Sequence, residues 1–149
     1  MVIHNYDFTN IKMIRFHNTL TMISNIEPEY SLRFYLGHIP SKETSLLSCE
    51  EIRKDNIIDV YIPDVPTTTM KWTDTIKKQL SMMLEIAQKY HADYISIVVG
   101  GNARNEVAAI ALHQALRDFT GVMHMIEFCM PDQDTRVIYE RTISPLYRS

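Results

Sequence analysis

The chain of 149 residues is poor in glycine, with 4, and in cysteine, with 2. Glycine lets a backbone wrap closely around phosphate, so a phosphate-binding loop has to use Gly37, Gly100, Gly101 or Gly121. The single adjacent pair is Gly100-Gly101. Cys49 and Cys129 form no CxxC and have no histidine cluster at metal spacing, which reads as two reduced structural thiols and no metal site. Basic excess is also lacking: 15 Lys+Arg stand against 18 Asp+Glu, a net charge of -3, without a basic run. That excludes the electrostatic footprint of generic DNA or anionic-membrane binding. No apolar stretch approaches a membrane span, and Met1-Val2-Ile3-His4-Asn5 lacks the basic start and long apolar core of a secretory signal. The expected location is cytoplasmic.

What is present is an ordinary globular composition, 46% hydrophobic and 22% charged, in a length that suits one domain over residues 1–149. A chain of this size buries about 68–70% of its unfolded surface and needs no disulfide or metal to hold together.

The C-terminal half is the most legible. From Thr73 to His91 the apolar residues Ile76, Leu80, Met83, Leu84, Ala87 and Tyr90 recur at helical spacing, with Asp74 in the first turn. Tyr94 to Val99 is a β-branched run that predicts a buried strand. A second helix follows, with Asn105 as N-cap, Ala108, Ala111, Leu112, Ala115, Leu116 and Phe119 as its stripe, and Gly121 at the place of a left-handed C-terminal cap. Val122 to Cys129 predicts another strand, and Asp132 to Ile143 a short closing helix. Such alternation predicts an α/β fold with parallel strands, whose function collects at the strands' carboxyl ends.

The N-terminal half is less regular. Val2-Ile3 and Lys12 to Phe16 predict short strands, and Asn56 to Ile62 a longer one ended by Pro63 and Pro66. Leu32 to Leu36 fits a strand or a helix, and residues 37–56 read as surface connection.

The sharpest local signal is Gly100-Gly101-Asn102-Ala103-Arg104, which joins a buried strand to a helix. A glycine pair there frees backbone N–H groups to converge on an anion, and Arg104 adds a guanidinium. The same residues also make a plain strand-to-helix turn. The stretch is neither a P-loop nor GxGxxG.

From Trp72 to Tyr139, ending in Val137-Ile138-Tyr139-Glu140-Arg141, the chain resembles the C-terminal half of a macro domain, the ADP-ribose-binding module. That resemblance implies a three-layer α/β/α sandwich with a mixed, largely parallel central sheet. At the N-terminus, Tyr6-Asp7-Phe8-Thr9-Asn10-Ile11 is similar to the family's opening Gly-Asp-Ile-Thr, and Asn18 lies eleven residues after Asp7. The resemblance makes Asp7 the adenine candidate, its neighbour Phe8 a further ligand-binding candidate, Asn18 a ribose-side candidate, and Gly100, Gly101, Asn102, Ala103 and Arg104 the diphosphate loop. Phe128 and Met130 would border the adenine and ribose pocket, with core packing as the alternative for both.

Two departures stand out. Thr21 falls where hydrolytic members carry a second Asn, and Met22-Ile23-Ser24-Asn25-Ile26-Glu27-Pro28-Glu29 replaces the first glycine-rich loop. Glu27 and Glu29, facing the site, would repel phosphate. Three functions therefore stay open: a module binding ADP-ribose or a related nucleotide diphosphate, free or attached to a protein; a macro-like protein-interaction or homo-oligomerisation module that has lost the pocket; and an ADP-ribosyl hydrolase. No catalytic residue, metal or cofactor is assigned, because no acid-base pair or nucleophile is evident. His17 reads as a partly exposed strand-end histidine.

Overall fold

The computed structural model describes residues 11–17 and 31–143. Their hydrophobic pattern folds into a mixed α/β unit: β1 (Ile11–His17), β2 (Ser31–His38), β3 (Glu50–Lys54), β4 (Ile57–Pro63), α1 (Trp72–Lys89), β5 (Tyr94–Val99), α2 (Glu106–Asp118), β6 (Met123–Cys129) and α3 (Gln133–Ile143). The six strands form one sheet in the order β1-β6-β5-β2-β4-β3. All neighbouring pairs are parallel except β3 with β4. The carboxyl ends of five strands therefore share one edge of the sheet.

The central strands are those whose sequence allows burial on both faces. In β2, Leu32, Phe34 and Leu36 point to one face, in register with Ile95, Ile97 and Val99 of β5. Leu36 lines one small cavity together with Ile76 and Leu80 of α1, Ala108 of α2 and Tyr139 of α3, so the helices cover this face. The described residues thus contain one helical layer on the sheet, two of the three layers expected. The opposite face carries a transverse row, Asp59, Arg33, Ser96 and Glu127, all buried. Arg33 donates to Asp59 through Nε at 2.5 Å and Nη2 at 2.8 Å, which is what makes burying both charges tolerable. No described helix is long and apolar enough to cross a membrane.

Several helix boundaries follow from their chemistry. The Asn105 side chain accepts from the Ala108 N–H at 2.9 Å, the N-cap expected from sequence. Asp132 caps α3 in the same way, accepting from the Thr135 N–H at 2.7 Å. The end of α1 is a Schellman motif: the Ala92 N–H reaches the Ala87 carbonyl and the His91 N–H the Gln88 carbonyl, both at 3.0 Å, with His91 at φ 50°.

Three expectations change. Gly121 is not a left-handed cap: its φ is not positive, and α2 ends through an extended Phe119. The segment Leu32 to Leu36, open between strand and helix, is a strand in the middle of the sheet. Residues 37–56 are not only connection, since they include β3, which forms a hairpin with β4 through Asp55 and Asn56, Asp55 having φ 55°. All five β3 residues are exposed and four are charged, so no core-facing alternation announced the strand.

Candidate functional site

The site is built where β2, β4 and β5 end. Beyond β5, the Gly100 N–H donates to the Leu36 carbonyl at 3.0 Å, and beyond β4 the Asp64 N–H donates to the His38 carbonyl at 2.7 Å. These bonds carry the sheet pairing past the strand ends and draw three loops together. Two glycines make the approach possible. Gly37 has φ 75°, and a β-carbon there would lie 2.1 Å from the Gly100 carbonyl oxygen. Gly101 has φ 52°, and a β-carbon on it would lie 2.5 Å from Asp64 Oδ1 and 2.8 Å from the Gly37 oxygen. Both positions need a residue without a side chain.

The loop from Gly101 to Arg104 is a single 3-10 turn. Several of its polar groups are engaged within the protein. The Ala103 N–H donates to the Gly100 carbonyl at 3.0 Å. The Asn102 N–H donates to Asp64 Oδ1 at 2.8 Å, and the Asn102 side-chain amide donates to Asp64 Oδ2 at 3.2 Å and to the Val65 carbonyl at 2.8 Å. Trp72 Nε1 also donates to the Val65 carbonyl, at 2.9 Å, which ties the start of α1 to this corner. The Asp64 carboxylate, half-buried, thus sits against the glycine turn and takes one of its backbone donors.

Arg104, more than half exposed, donates through Nε to the Gly101 carbonyl at 3.1 Å and lies 3.5 Å from Asp132 Oδ2 through Nη1. The Asp132 carboxyl is held below the usual carboxylate range, first by the Thr135 backbone N–H and then by the Thr135 side chain, with smaller help from Arg104. Behind the loop, the fully buried Tyr139 donates its hydroxyl to the Ala103 carbonyl at 2.6 Å, and burial pushes its phenol well above the ordinary value. Beneath the turn a cavity of about 10 Å³ lies among Leu36, Gly37, Pro63, Asp64, Ile76 and Tyr139. A single water needs about 10–15 Å³, so this space holds no larger ligand.

The five loop residues expected from sequence, Gly100, Gly101, Asn102, Ala103 and Arg104, are together at this edge. Ala103 is buried, and Asn102 turns its side-chain amide inward to Asp64 and Val65. Phe128 is fully buried, its ring 5.2 Å from that of Phe16 and 5.8 Å from that of Tyr139. Met130 is buried as well, its N–H donating to the His17 carbonyl at 2.7 Å. Both serve core packing, the alternative left open for them. Asp7, Phe8 and Asn18 lie outside the described residues, as do Thr21, Glu27 and Glu29. His17 ends β1, with Nε2 3.5 Å from Glu127 Oε2. No group of three or more metal-binding side chains occurs among the described residues.

Sequence reasoning missed Asp64, and it counted Gly37 among the four available glycines without giving it a place in the site. Each had a signal: Gly37 interrupts an apolar run at the end of a strand, and Asp64 sits between Pro63 and Pro66, just past another. Their role depends on the pairing of β2 with both β4 and β5, which local sequence does not express.

No protein-family model and no curated protein matches this chain. Among solved structures, the chain is similar to a macrodomain protein from Streptomyces coelicolor, with a TM-score of 0.50 and 8% identity, over 78% of this chain and 97% of that one. The likeness is one of fold, and the fold is macro-like.

Proposed function

We propose that this chain is a macro-like binding module that receives ADP-ribose or a related nucleotide diphosphate at the carboxyl ends of β2, β4 and β5. The observation that carries the reading is Gly101, left-handed and without a side chain, placed two residues past the end of β5 at the edge where ligands of open α/β sheets are held. The turn carries the Asn102 N–H, now given to Asp64, and the exposed Arg104 guanidinium, donors of the kind a phosphoryl group requires. Calorimetric titration with ADP-ribose tests the reading. Saturable heat that Gly101→Glu abolishes is expected, and neither heat nor thermal shift at millimolar ligand would overturn it.

A second reading has its own observation. The Asp64 carboxylate lies where the turn would meet an anion, and its 2.8 Å hydrogen bond takes the Asn102 donor. That geometry favours a module whose scaffold persists while diphosphate binding is lost, acting through protein contacts. Absence of nucleotide binding together with a stable, folded chain is its expected result.

A further inference from the structure

We propose that Asp64 is the specificity-determining residue of this site: its carboxylate is a resident anion, and a phosphoryl group enters the Gly101–Arg104 turn only by displacing it. The inference rests on the nucleotide reading of the loop given above and adds what limits it.

Three observations converge. The space a β-carbon of Gly101 would need is already taken, with Asp64 Oδ1 at 2.5 Å from that point. The same oxygen accepts the Asn102 N–H at 2.8 Å, the type of donor that otherwise cradles a phosphate oxygen. The other carboxylate oxygen accepts the Asn102 side-chain amide at 3.2 Å, so backbone and side chain of one residue hold the anion in place. Two oxyanions cannot share one N–H donor at contact distance, because like charges repel strongly outside bulk water.

Asp64 can still leave. Its backbone is fixed by the bond to the His38 carbonyl, while its side chain is half-buried at the sheet edge and free of any cationic partner among the described residues. Rotation out of the turn exposes the Asn102 N–H beside Arg104. The arrangement therefore discriminates by charge: it disfavours phosphate at the turn and leaves ligand parts that bind elsewhere untouched.

The test follows the Gly101 and Asn102 amide resonances in the full chain, its Asp64→Ser variant and its Asp64→Asn variant, titrated separately with inorganic pyrophosphate and with ADP-ribose. The expected result is pyrophosphate binding at least about tenfold tighter in Asp64→Ser than in the natural chain, the scale of one charge-assisted hydrogen bond released. Asp64→Asn loses the charge and one of the two acceptor oxygens but keeps the other for Asn102, so a smaller gain of the same sign is expected. It also serves if the serine variant does not fold. Equal pyrophosphate affinity in all three proteins overturns the proposal, and so does a loop that responds in none. If Asp64→Ser responds to pyrophosphate but not to ADP-ribose, Asp64 stands as the gate and the nucleotide reading falls. If ADP-ribose binds the natural chain as tightly as the variants, the nucleotide reading stands and the gate falls.

Discussion

Gly37 faces Gly100 across the ends of β2 and β5 so closely that a β-carbon on Gly37 would stand 2.1 Å from the Gly100 carbonyl oxygen. The obstacle is backbone, which cannot turn aside as a side chain does, and Gly37 also holds φ 75°. Gly37→Ala therefore combines a clash with a left-handed conformation, and strain of this kind costs about 1–3 kcal/mol before the clash is counted. The expected loss in urea-unfolding free energy is more than about 2 kcal/mol. A variant as stable as the natural chain would show that the strand ends are not closed in this way.

Arg33 and Asp59 form a two-bond ion pair on the sheet face opposite the helices, with side chains 10% and 2% exposed. Removing one partner leaves the other charged and buried, which costs about 3–5 kcal/mol, whereas replacing both with apolar residues is often neutral. Arg33→Met and Asp59→Leu should each destabilise strongly, and the double variant should be more stable than either single one. Additive losses in the thermal-unfolding cycle would mean that the pair carries no coupling.

Tyr139 links α3 to the loop by donating to the Ala103 carbonyl. Tyr139→Phe keeps the ring in its buried place beside Phe128 and leaves that carbonyl without its donor, at a cost of about 1–3 kcal/mol. Hydrogen exchange should also quicken at Ala103 and Arg104. Unchanged stability and unchanged exchange would remove Tyr139 from the support of the loop.

Asp132 has a carboxyl lowered from its ordinary value, chiefly by the Thr135 backbone N–H it accepts at the start of α3. A folded value below the unfolded one means that the ionised cap stabilises fully above the ordinary carboxylate range and loses its effect as pH falls through the folded value. The thermal midpoint of Asp132→Ala should lie below that of the natural chain at pH 6, and the gap should narrow towards pH 2. A gap that stays constant over that range would contradict the role.

Much of the C-terminal half was legible because its information is local. Asn105 announces a helix start by its own side chain, and the spacing from Ile76 to Ala87 announces a buried stripe. Gly121 misled for the same reason: a glycine after a helix reads as a left-handed cap, but the turn there is carried by an extended Phe119. β3 was hidden because an exposed edge strand has no buried alternation, though the Asp55-Asn56 pair marks its hairpin turn. The loop residues were found from Gly100-Gly101, whereas Gly37 and Asp64, which close the site, are 63 and 36 positions from Gly100 and meet it only through the strand order. Asp64 matters most, since it turns an apparent anion loop into one that already holds a carboxylate.

The most direct test of the account is a crystal structure of the chain soaked with ADP-ribose. The diphosphate is expected beside the Asn102 N–H and Arg104, with Asp64 rotated out of the turn and its 2.8 Å bond to Asn102 broken. A turn in which Asp64 keeps that bond, with no nucleotide at Gly101 under saturating ligand, would contradict it.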